Sequence, residues 1–399
     1  MRLCRALLLL LVIGIGAGCS GGGGGGSGGS PPTPQNNVVR VTVNGDLCSA
    51  GSYLNKPCVQ VTVCTPGTSN CQTISDIVLD TGSYGLRIFQ NASAGQPLLT
   101  VPLFQVRYPS GSDLAECAAF GGGALTWGPV QTADVYLGNE LASGVPIQVI
   151  DATFYSSRQS SVCANPERYP SDAGAGFNGI LGVGPLIHDY GPYYSCDNTT
   201  GNCSPATPPL NNMVQNPVAL LPNDNNGVVV QLPAVGPGGQ PSADGSLLLG
   251  VGTQANNTPS GVTTYGLDQD GNFITIFNGT RYSDSFTDTG SNGLFFPGSS
   301  SLPPCPYPAS GWFCPGSPSL ISLSPTIEGA SGSPTGQVSF EIGNILILLS
   351  SNRSSRVFPD IGGNYPTFDW GLPFYLGRSV YIGMSGANTP IGAGPYIAY

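Results

Sequence analysis

The sequence contains few charged side chains, and basic ones are especially scarce. Of 399 residues, 12 are Lys or Arg, 22 are Asp or Glu, and the formal net charge is −10. A protein that binds nucleic acid needs Lys and Arg to neutralise phosphates. A basic patch is likewise needed to hold a protein on an anionic membrane surface. With Lys56 as its only lysine, the sequence argues against both partners, and we predict no nucleic-acid binding.

Histidine is nearly missing, which limits the metal and catalytic sites that the chain can form. Zinc sites built on two or three histidines are excluded, because His188 stands alone. A Ser-His-Asp triad would have to use this residue, which lies in the segment Gly-Pro-Leu-Ile-His-Asp-Tyr. We interpret His188 as a surface loop residue and predict neither a metal nor a cofactor.

Long uninterrupted helical patterns are also missing. The chain has 59 Gly and 37 Pro, and these residues interrupt every candidate helix. At the same time 40% of the residues are hydrophobic, which argues against disorder. Apolar and polar residues alternate in residues 38–43 and 58–64, and an apolar run occupies residues 74–79. This combination predicts an all-β fold of many short strands, with few and short helices.

The first residues have the pattern of an export signal. Arg2 and Arg5 precede an apolar run over residues 6–15, and small residues then lead to Cys19. The run is short for a membrane span. A Cys after small residues resembles a bacterial lipoprotein signal, in which the Cys is lipidated and becomes the new N-terminus. The alternative is ordinary secretion with cleavage nearby.

The lipoprotein resemblance has one departure and one further implication. Gly16 stands where that family usually has an apolar residue such as Leu, while Ser20 resembles the outer-membrane class. We therefore predict a signal segment over residues 1–19 and a lipid anchor at Cys19. Residues 20–36, which are mostly Gly, Ser and Pro, are predicted to form a flexible tether.

Ten cysteines follow the tether, an even number that predicts disulfides in an exported chain. Short spacings suggest Cys64–Cys71, Cys196–Cys203 and Cys305–Cys314 as bridges of small loops. Cys48–Cys58 and Cys117–Cys163 would then follow by elimination, although sequence alone leaves the connectivity open. The sequence contains no Cys-x-x-Cys pair, so a metal site built on cysteines is not favoured.

The chain contains an internal repeat. Residues 77–88 read Ile-Val-Leu-Asp-Thr-Gly-Ser-Tyr-Gly-Leu-Arg-Ile, and residues 285–296 read Ser-Phe-Thr-Asp-Thr-Gly-Ser-Asn-Gly-Leu-Phe-Phe. Asp80 and Asp288 lie 208 positions apart, which is far longer than a solenoid period. This spacing indicates two duplicated lobes, predicted over residues 37–225 and 226–399.

Each copy of Asp-Thr-Gly-Ser places a carboxylate at the end of an apolar strand. Gly permits a tight turn there, and the Thr and Ser hydroxyls can orient the carboxylate. If pseudo-symmetry brings the two carboxylates together, both cannot ionise easily, and they share one proton. One carboxyl can then act as a base toward water while the other donates a proton to a carbonyl oxygen.

With these motifs the chain resembles the pepsin-like aspartic peptidases over most of its length. The segments around residues 177–183 and 369–377 are similar to the family's Gly-Ile-Leu-Gly segments, which pack beneath the catalytic turns. The resemblance implies an all-β, bilobal fold of two pseudo-symmetric, barrel-like lobes with a central cleft. It also implies Asp80 and Asp288 as the catalytic pair.

The resemblance further implies supporting roles for six residues of the two turns. Ser83 and Ser291 would hydrogen-bond the outer carboxylate oxygens, and Gly82 and Gly290 would supply backbone N–H groups. Thr81 and Thr289 would form a crossed pair of hydrogen bonds between the turns.

The flap hairpin of the family corresponds to residues 120–128, with Phe120 and Gly121 at its start. Phe120 stands where the family has a Tyr, so it can cover a substrate but offers no hydroxyl. Trp127 could substitute as a hydrogen-bond donor; otherwise it is a packed aromatic of the hairpin. Arg87 replaces a common Trp, and we interpret it as an exposed cation at a strand end.

Taken together, the sequence predicts an aspartic-type endopeptidase of the bacterial cell envelope, a monomer acting on peptide or protein substrates. Its predicted place is the outer membrane. The alternative is a catalytically inactive envelope lipoprotein of the same fold that binds peptides or protein partners. Fold alone does not decide between them, because activity depends on the site.

Overall fold

The computed structural model describes residues 36–92, 95–155, 163, 175–316 and 319–399. Cys19, the predicted signal segment and the tether up to residue 35 lie outside the described residues. Within the described residues, no helix is long and apolar enough to cross a membrane.

Short strands dominate the described chain, which confirms the all-β prediction. In the first half they are β1 (Val38–Val43), β2 (Pro57–Cys64), β3 (Cys71–Asp80), β4 (Tyr84–Phe89), β5 (Phe104–Gln105), β6 (Asp113–Ala119), β7 (Leu125–Leu137), β8 (Glu140–Ile150), β9 (Gly179–Val183), β10 (Tyr193–Cys196) and β11 (Cys203–Ala206). The predicted strands over residues 38–43, 58–64 and 74–79 therefore correspond to β1, β2 and β3.

The second half continues with shorter strands. They are β12 (Gly227–Gln231), β13 (Ala243–Leu249), β14 (Thr264–Gly266), β15 (Phe273–Phe277), β16 (Thr280–Thr287), β17 (Leu294–Phe296), β18 (Leu320–Leu323), β19 (Thr326–Glu328), β20 (Thr335–Gln337), β21 (Phe340–Gly343), β22 (Gly362–Asn364), β23 (Asp369–Trp370), β24 (Ser379–Gly383), β25 (Asn388–Thr389), β26 (Gly392–Ala393) and β27 (Tyr396–Ala398). Two short helices, α1 (Ile345–Ser351) and α2 (Leu372–Tyr375), lie among them.

One large sheet contains strands from both halves of the sequence. Its order is β11-β10-β6-β7-β8-β4-β9-β3-β2-β1-β13-β12-β24-β27-β14, with β5 added beside β7. The two halves meet where β1 pairs antiparallel with β13, over the register Val38↔Leu248 to Val43↔Ala243. A second sheet has the order β20-β19-β15-β16-β23-β17-β22.

The internal repeat of the sequence is also a repeat of strand topology. In the first half, β3 runs parallel to β9 while β4 runs antiparallel to the same strand. The second half repeats this pattern, with β16 parallel and β17 antiparallel to β23. Each Asp-Thr-Gly-Ser turn connects the two strands that flank a central third strand. The duplicated, bilobal arrangement predicted from the sequence is therefore present, although the boundary at residue 225 stays a prediction.

Five disulfides join the ten cysteines, and they comprise the three pairs that short spacing suggested and the two that followed by elimination. They are Cys48–Cys58, Cys64–Cys71, Cys117–Cys163, Cys196–Cys203 and Cys305–Cys314. Four of them close loops of ten residues or fewer, and Cys117–Cys163 spans 46 positions.

Candidate active site

Two strands bring the repeated Asp-Thr-Gly-Ser motifs to the same place. Asp80 is the last residue of β3, and Asp288 directly follows β16. Apolar side chains of β3 are buried, so the strand is fixed along its length and the position of its last residue is fixed with it. Asp80 is itself only 6% exposed, whereas Asp288 is half-buried.

The first carboxyl is held by donors from its own turn. The Gly82 N–H donates to Asp80 Oδ1 at 2.8 Å, and the Ser83 hydroxyl donates to Oδ2 at 2.5 Å. Each oxygen therefore has one donor, which fixes the plane of the group.

The second carboxyl repeats this arrangement. The Gly290 N–H lies 2.6 Å from Asp288 Oδ1, and the Ser291 Oγ lies 2.8 Å from Oδ2. The four supporting roles that the resemblance implied for these Gly and Ser residues thus correspond to hydrogen bonds in the structure.

A crossed set of hydrogen bonds ties the two turns together. Thr81 N–H donates to Thr289 Oγ1 at 3.1 Å, and Thr289 N–H donates to Thr81 Oγ1 at 3.0 Å. Each hydroxyl then donates across the pair, Thr81 to the Thr287 carbonyl and Thr289 to the Leu79 carbonyl. Both threonines are buried, so these bonds form where water does not compete.

The turns approach so closely that each glycine touches the opposite carboxyl. A Cβ added to Gly82 would lie 2.7 Å from Asp288 Cγ, and one added to Gly290 would lie 3.0 Å from Asp80 Cγ. A side chain at either glycine position would therefore force the pair apart.

Burial and like charge together favour the protonated form of one carboxyl. Burial raises the pKa of Asp288 well above its ordinary value, and the nearby Asp80 and Asp369 carboxyls raise it further. Two carboxyls that share one proton contain an acid and a base at the same pH.

Three residues that the sequence did not single out contact the turns. The Asp369 carboxyl lies 2.5 Å from Ser291 Oγ, and the Tyr375 hydroxyl lies 2.7 Å from Thr81 Oγ1. The Tyr53 hydroxyl, from the segment between β1 and β2, donates to the Gly290 carbonyl. Alignment of the two repeats could have identified Asp369. It pairs with β16 in the second half at the position where Ile180 of β9 pairs with β3 in the first half.

The predicted flap corresponds to the tip of the β6–β7 hairpin. The Phe120 N–H donates to the Ala124 carbonyl, which closes a tight turn that contains Gly121. The Phe120 ring is half-buried and packs against a cluster that includes Phe89 and Ile180. Its ring centroid lies 5.6 Å from Arg87 Cζ, so the tip is linked to the strand that follows the first turn.

The structure decides one alternative that the sequence left open, and it shows that one interpretation is wrong. Trp127 is fully buried and its indole N–H donates to the Phe154 carbonyl at 2.7 Å, so it is a packed aromatic and not a donor toward a substrate. Arg87 is 0% exposed, whereas we expected a cation at the surface. Its guanidinium pairs with the buried Glu116 at 3.0 Å and also with Asp189, and these partners make its burial possible.

A cavity of about 170 Å³ adjoins the first turn. Gly82 and Tyr84 line it from the first half of the chain, and Leu267, Gly271 and Phe286 line it from the second half. Burial raises the pKa of the Tyr84 hydroxyl above its ordinary value, which keeps the group neutral at the mouth of this space. His188, by contrast, lies half-buried in the loop after β9 and bridges to Gln215.

Comparison with known proteins identifies a similar solved structure and a matching family. The crystal structure of an aspartic proteinase from Irpex lacteus aligns with 17% sequence identity and a TM-score of 0.48, over 90% of this chain and 96% of that chain. No curated protein matches the sequence. A family model described as "Protein of unknown function (DUF3443)" matches residues 33–399. This match takes in both Asp-Thr-Gly-Ser turns and every described strand, and the protein therefore belongs to the DUF3443 family.

Proposed function

We propose that this protein is an aspartic-type endopeptidase that hydrolyses peptide bonds with a water held between Asp80 and Asp288. One observation supports the proposal above the others. Each carboxyl accepts a backbone N–H and contacts a Ser hydroxyl of its own turn, and the two turns that carry them are locked by the crossed threonine bonds. Placing two carboxyls side by side away from water costs free energy. A purely structural role would not require this cost, nor the matched orientation of the two groups.

The chemistry follows from the single shared proton. The ionised carboxyl removes a proton from the water as its oxygen attacks the carbonyl carbon of the peptide bond, and the protonated carboxyl donates to the carbonyl oxygen. The resulting tetrahedral diol collapses when the C–N bond breaks. The leaving nitrogen takes the proton that came from the water, and a diol hydroxyl returns the other proton to the pair.

Substrate would be covered by the hairpin tip. Phe120 offers an apolar ring to an extended peptide, and the cavity beside Gly82 is large enough for a side chain of moderate size. Since Phe lacks the hydroxyl of Tyr, the tip would contribute exclusion of water and no hydrogen bond.

We further propose that the mature protein acts in the cell envelope as a monomer, anchored through Cys19 and carried on the tether of residues 20–36. The five disulfides support a location outside the cytoplasm. The anchor would be tested by labelling with a radioactive fatty acid, which should be incorporated in the wild type and lost in Cys19→Ala.

The test of activity is cleavage of a diverse peptide pool by the mature protein, from about pH 3 to 7.5. Asp80→Asn and Asp288→Asn should each abolish cleavage while keeping the fold, as measured by circular dichroism. Asp284→Asn is the matched control, because Asp284 is an exposed carboxyl on the same strand, β16. It should cleave like the wild type.

No cleavage by a folded wild type at any pH would reject the proposal. An intact fold, with Phe120 in place of the Tyr of the resembling family, would then favour a peptide-binding protein. Equilibrium binding to the same peptide pool would detect this function.

A further inference from the structure

A third carboxyl group adjoins the pair. Asp369 lies on β23, where it pairs with Phe286 of β16 and with Phe295 of β17. The equivalent position in the first half is Ile180, which pairs with Val78 and Arg87 in the same geometry. The two halves therefore differ at this position, with an acid in one and an apolar residue in the other.

Ser291 connects this third carboxyl to the second. Its Oγ lies 2.8 Å from Asp288 Oδ2 and 2.5 Å from Asp369 Oδ2. A hydroxyl has one proton and can donate to only one of the two acceptors. The second short contact requires a proton on a carboxyl, so this arrangement contains at least one protonated acid.

The surroundings of Asp369 favour that acid form. The residue is 8% exposed, and its Oδ1 is buried with no hydrogen-bond partner among the described residues. A buried carboxylate oxygen without a donor is costly. Burial accordingly raises the pKa of Asp369 to about 8, the Ser291 hydrogen bond lowers it, and the Asp80 charge raises it.

The other titratable groups around this position carry no compensating positive charge. Asp80 and Asp288 are acids of the same site, and Asp284 of β16 is exposed and accepts the Thr367 hydroxyl at 2.7 Å. Tyr375 of α2 bonds Thr81, and burial raises the pKa of its hydroxyl above the ordinary value, so it stays neutral. No ion pair to Asp369 occurs in the described part of the chain.

We propose that Asp369 is a reserve acid, which passes a proton through the Ser291 hydroxyl to Asp288 and so keeps the Asp80–Asp288 pair singly protonated toward neutral pH. In this step the Asp369 proton moves to Ser291 Oγ while the Ser291 proton moves to Asp288 Oδ2. Ser291 ends unchanged, Asp369 becomes a carboxylate and Asp288 becomes an acid. The kinetic consequence of this inference rests on the proposed peptidase function. The proton exchange itself is independent of that function.

The kinetic test is the pH profile of kcat for wild type and Asp369→Asn. The Asn amide can still donate to Ser291 but holds no transferable proton and no charge. We expect an unchanged acidic plateau and an alkaline limb that moves down by about one pH unit, the size of shift that a neighbouring carboxylate causes. In a protein that already carries Ser291→Ala, adding Asp369→Asn should move the alkaline limb of the profile by much less, because the hydroxyl that connects Asp369 to Asp288 is already absent.

The exposed control Asp284→Asn should leave the limb in place. A limb that stays at the wild-type pH in Asp369→Asn would overturn the inference, as would equal shifts with and without Ser291. If Asp369→Asn does not fold, Asp369→Ile replaces it, since Ile180 packs at the equivalent position in the first half.

A second measurement separates this inference from the proposed function. The infrared carbonyl band of protonated carboxyl groups is recorded against pH, and the difference between wild type and Asp369→Asn isolates Asp369. We expect its band to vanish near pH 8 in the wild type. In Asp80→Asn it should vanish at lower pH, because the Asp80 charge that raises the pKa of Asp369 is gone.

A protein that cleaves no peptide but shows this coupled titration would retain the inference and reject the peptidase. A protein that cleaves peptides but has Asp369 ionised at pH 6 would support the peptidase function and overturn the inference about Asp369.

Discussion

At the scale of single residues, the site depends on two glycines as much as on two carboxyls. Gly82 and Gly290 donate their N–H groups to the carboxyl of their own turn, and each leaves space for the carboxyl of the other turn. Any side chain here would meet a buried, hydrogen-bonded group that cannot rotate away without losing its donors. The requirement for Gly is thus steric, and neither residue has a positive φ angle.

Gly82→Ala should therefore disrupt the pair. The new Cβ would lie 2.7 Å from Asp288 Cγ, so the two turns must separate. We expect the free energy of unfolding in urea to fall by about 1–3 kcal/mol, as overpacking in a tight core does, together with the loss of any cleavage. Gly51→Ala is the control, because a Cβ there meets nothing within 4 Å. Equal stability of the two variants would show that the turns can separate without cost.

At the scale of elements, the strand β4 links the first turn to the hairpin tip. It leaves the turn at Tyr84 and carries Arg87, whose guanidinium stacks under Phe120 of the tip. The pair partner Glu116 comes from β6, the first strand of the hairpin. The buried Arg87 thus holds both β6 and the tip of the β6–β7 hairpin against β4, the strand that follows the first turn.

Arg87→Met should destabilise the protein strongly, because it leaves Glu116 and Asp189 without their shared cation. Removing one partner of a buried ion pair costs about 3–5 kcal/mol. The loss should be visible in urea unfolding at pH 8. It should be smaller at pH 5, since burial already raises the pKa of Glu116 to about 7 and the acid form needs no cation.

Arg40 provides a matched control for this substitution. It also bridges two carboxylates, Asp46 and Asp244, but all three side chains are at least half exposed. Arg40→Met should leave the urea unfolding midpoint nearly unchanged, because exposed ion pairs are screened by water and contribute little to stability. A similar loss from both substitutions would contradict the assignment of the Arg87 cluster as a buried structural network.

At the scale of the whole molecule, buried acids with raised pKa values make stability depend on pH. Burial, together with the neighbouring Asp224 carboxyl, raises the pKa of Glu140 to about 7. Glu116 and Asp369 have values raised to about 7 and about 8. In the unfolded chain these groups ionise near 4.5 for Glu and 3.8 for Asp. Between the two sets of values, the folded chain binds more protons than the unfolded chain.

These three acids should therefore stabilise the fold fully below about pH 4, and the free energy of unfolding should decrease as the pH rises from there to about 8. Glu140→Gln removes one of these groups and should make the decrease shallower in urea titrations at each pH. Glu341→Gln, at an exposed position, should leave the slope unchanged. A wild type that gains stability over this window would contradict the raised pKa values of all three acids.

The sequence by itself determined the features that depend on short stretches of chain. Apolar alternation gave β1 and β2, because strand periodicity is local. The repeated Asp-Thr-Gly-Ser turns gave the two carboxyls and their donors, since Gly82 and Ser83 lie within three residues of Asp80. Close cysteine spacing gave the small disulfide loops for the same reason.

Only the tertiary structure decided the features that depend on distant strands. Arg87 is buried because Glu116 and Asp189, 29 and 102 positions away, supply its charge partners. Asp369 meets Ser291, 78 positions away, through the parallel pairing of β16 with β23. Strand pairing between remote segments depends on the packing of the whole core, and no local pattern of residues records which polar side chains it will bring together.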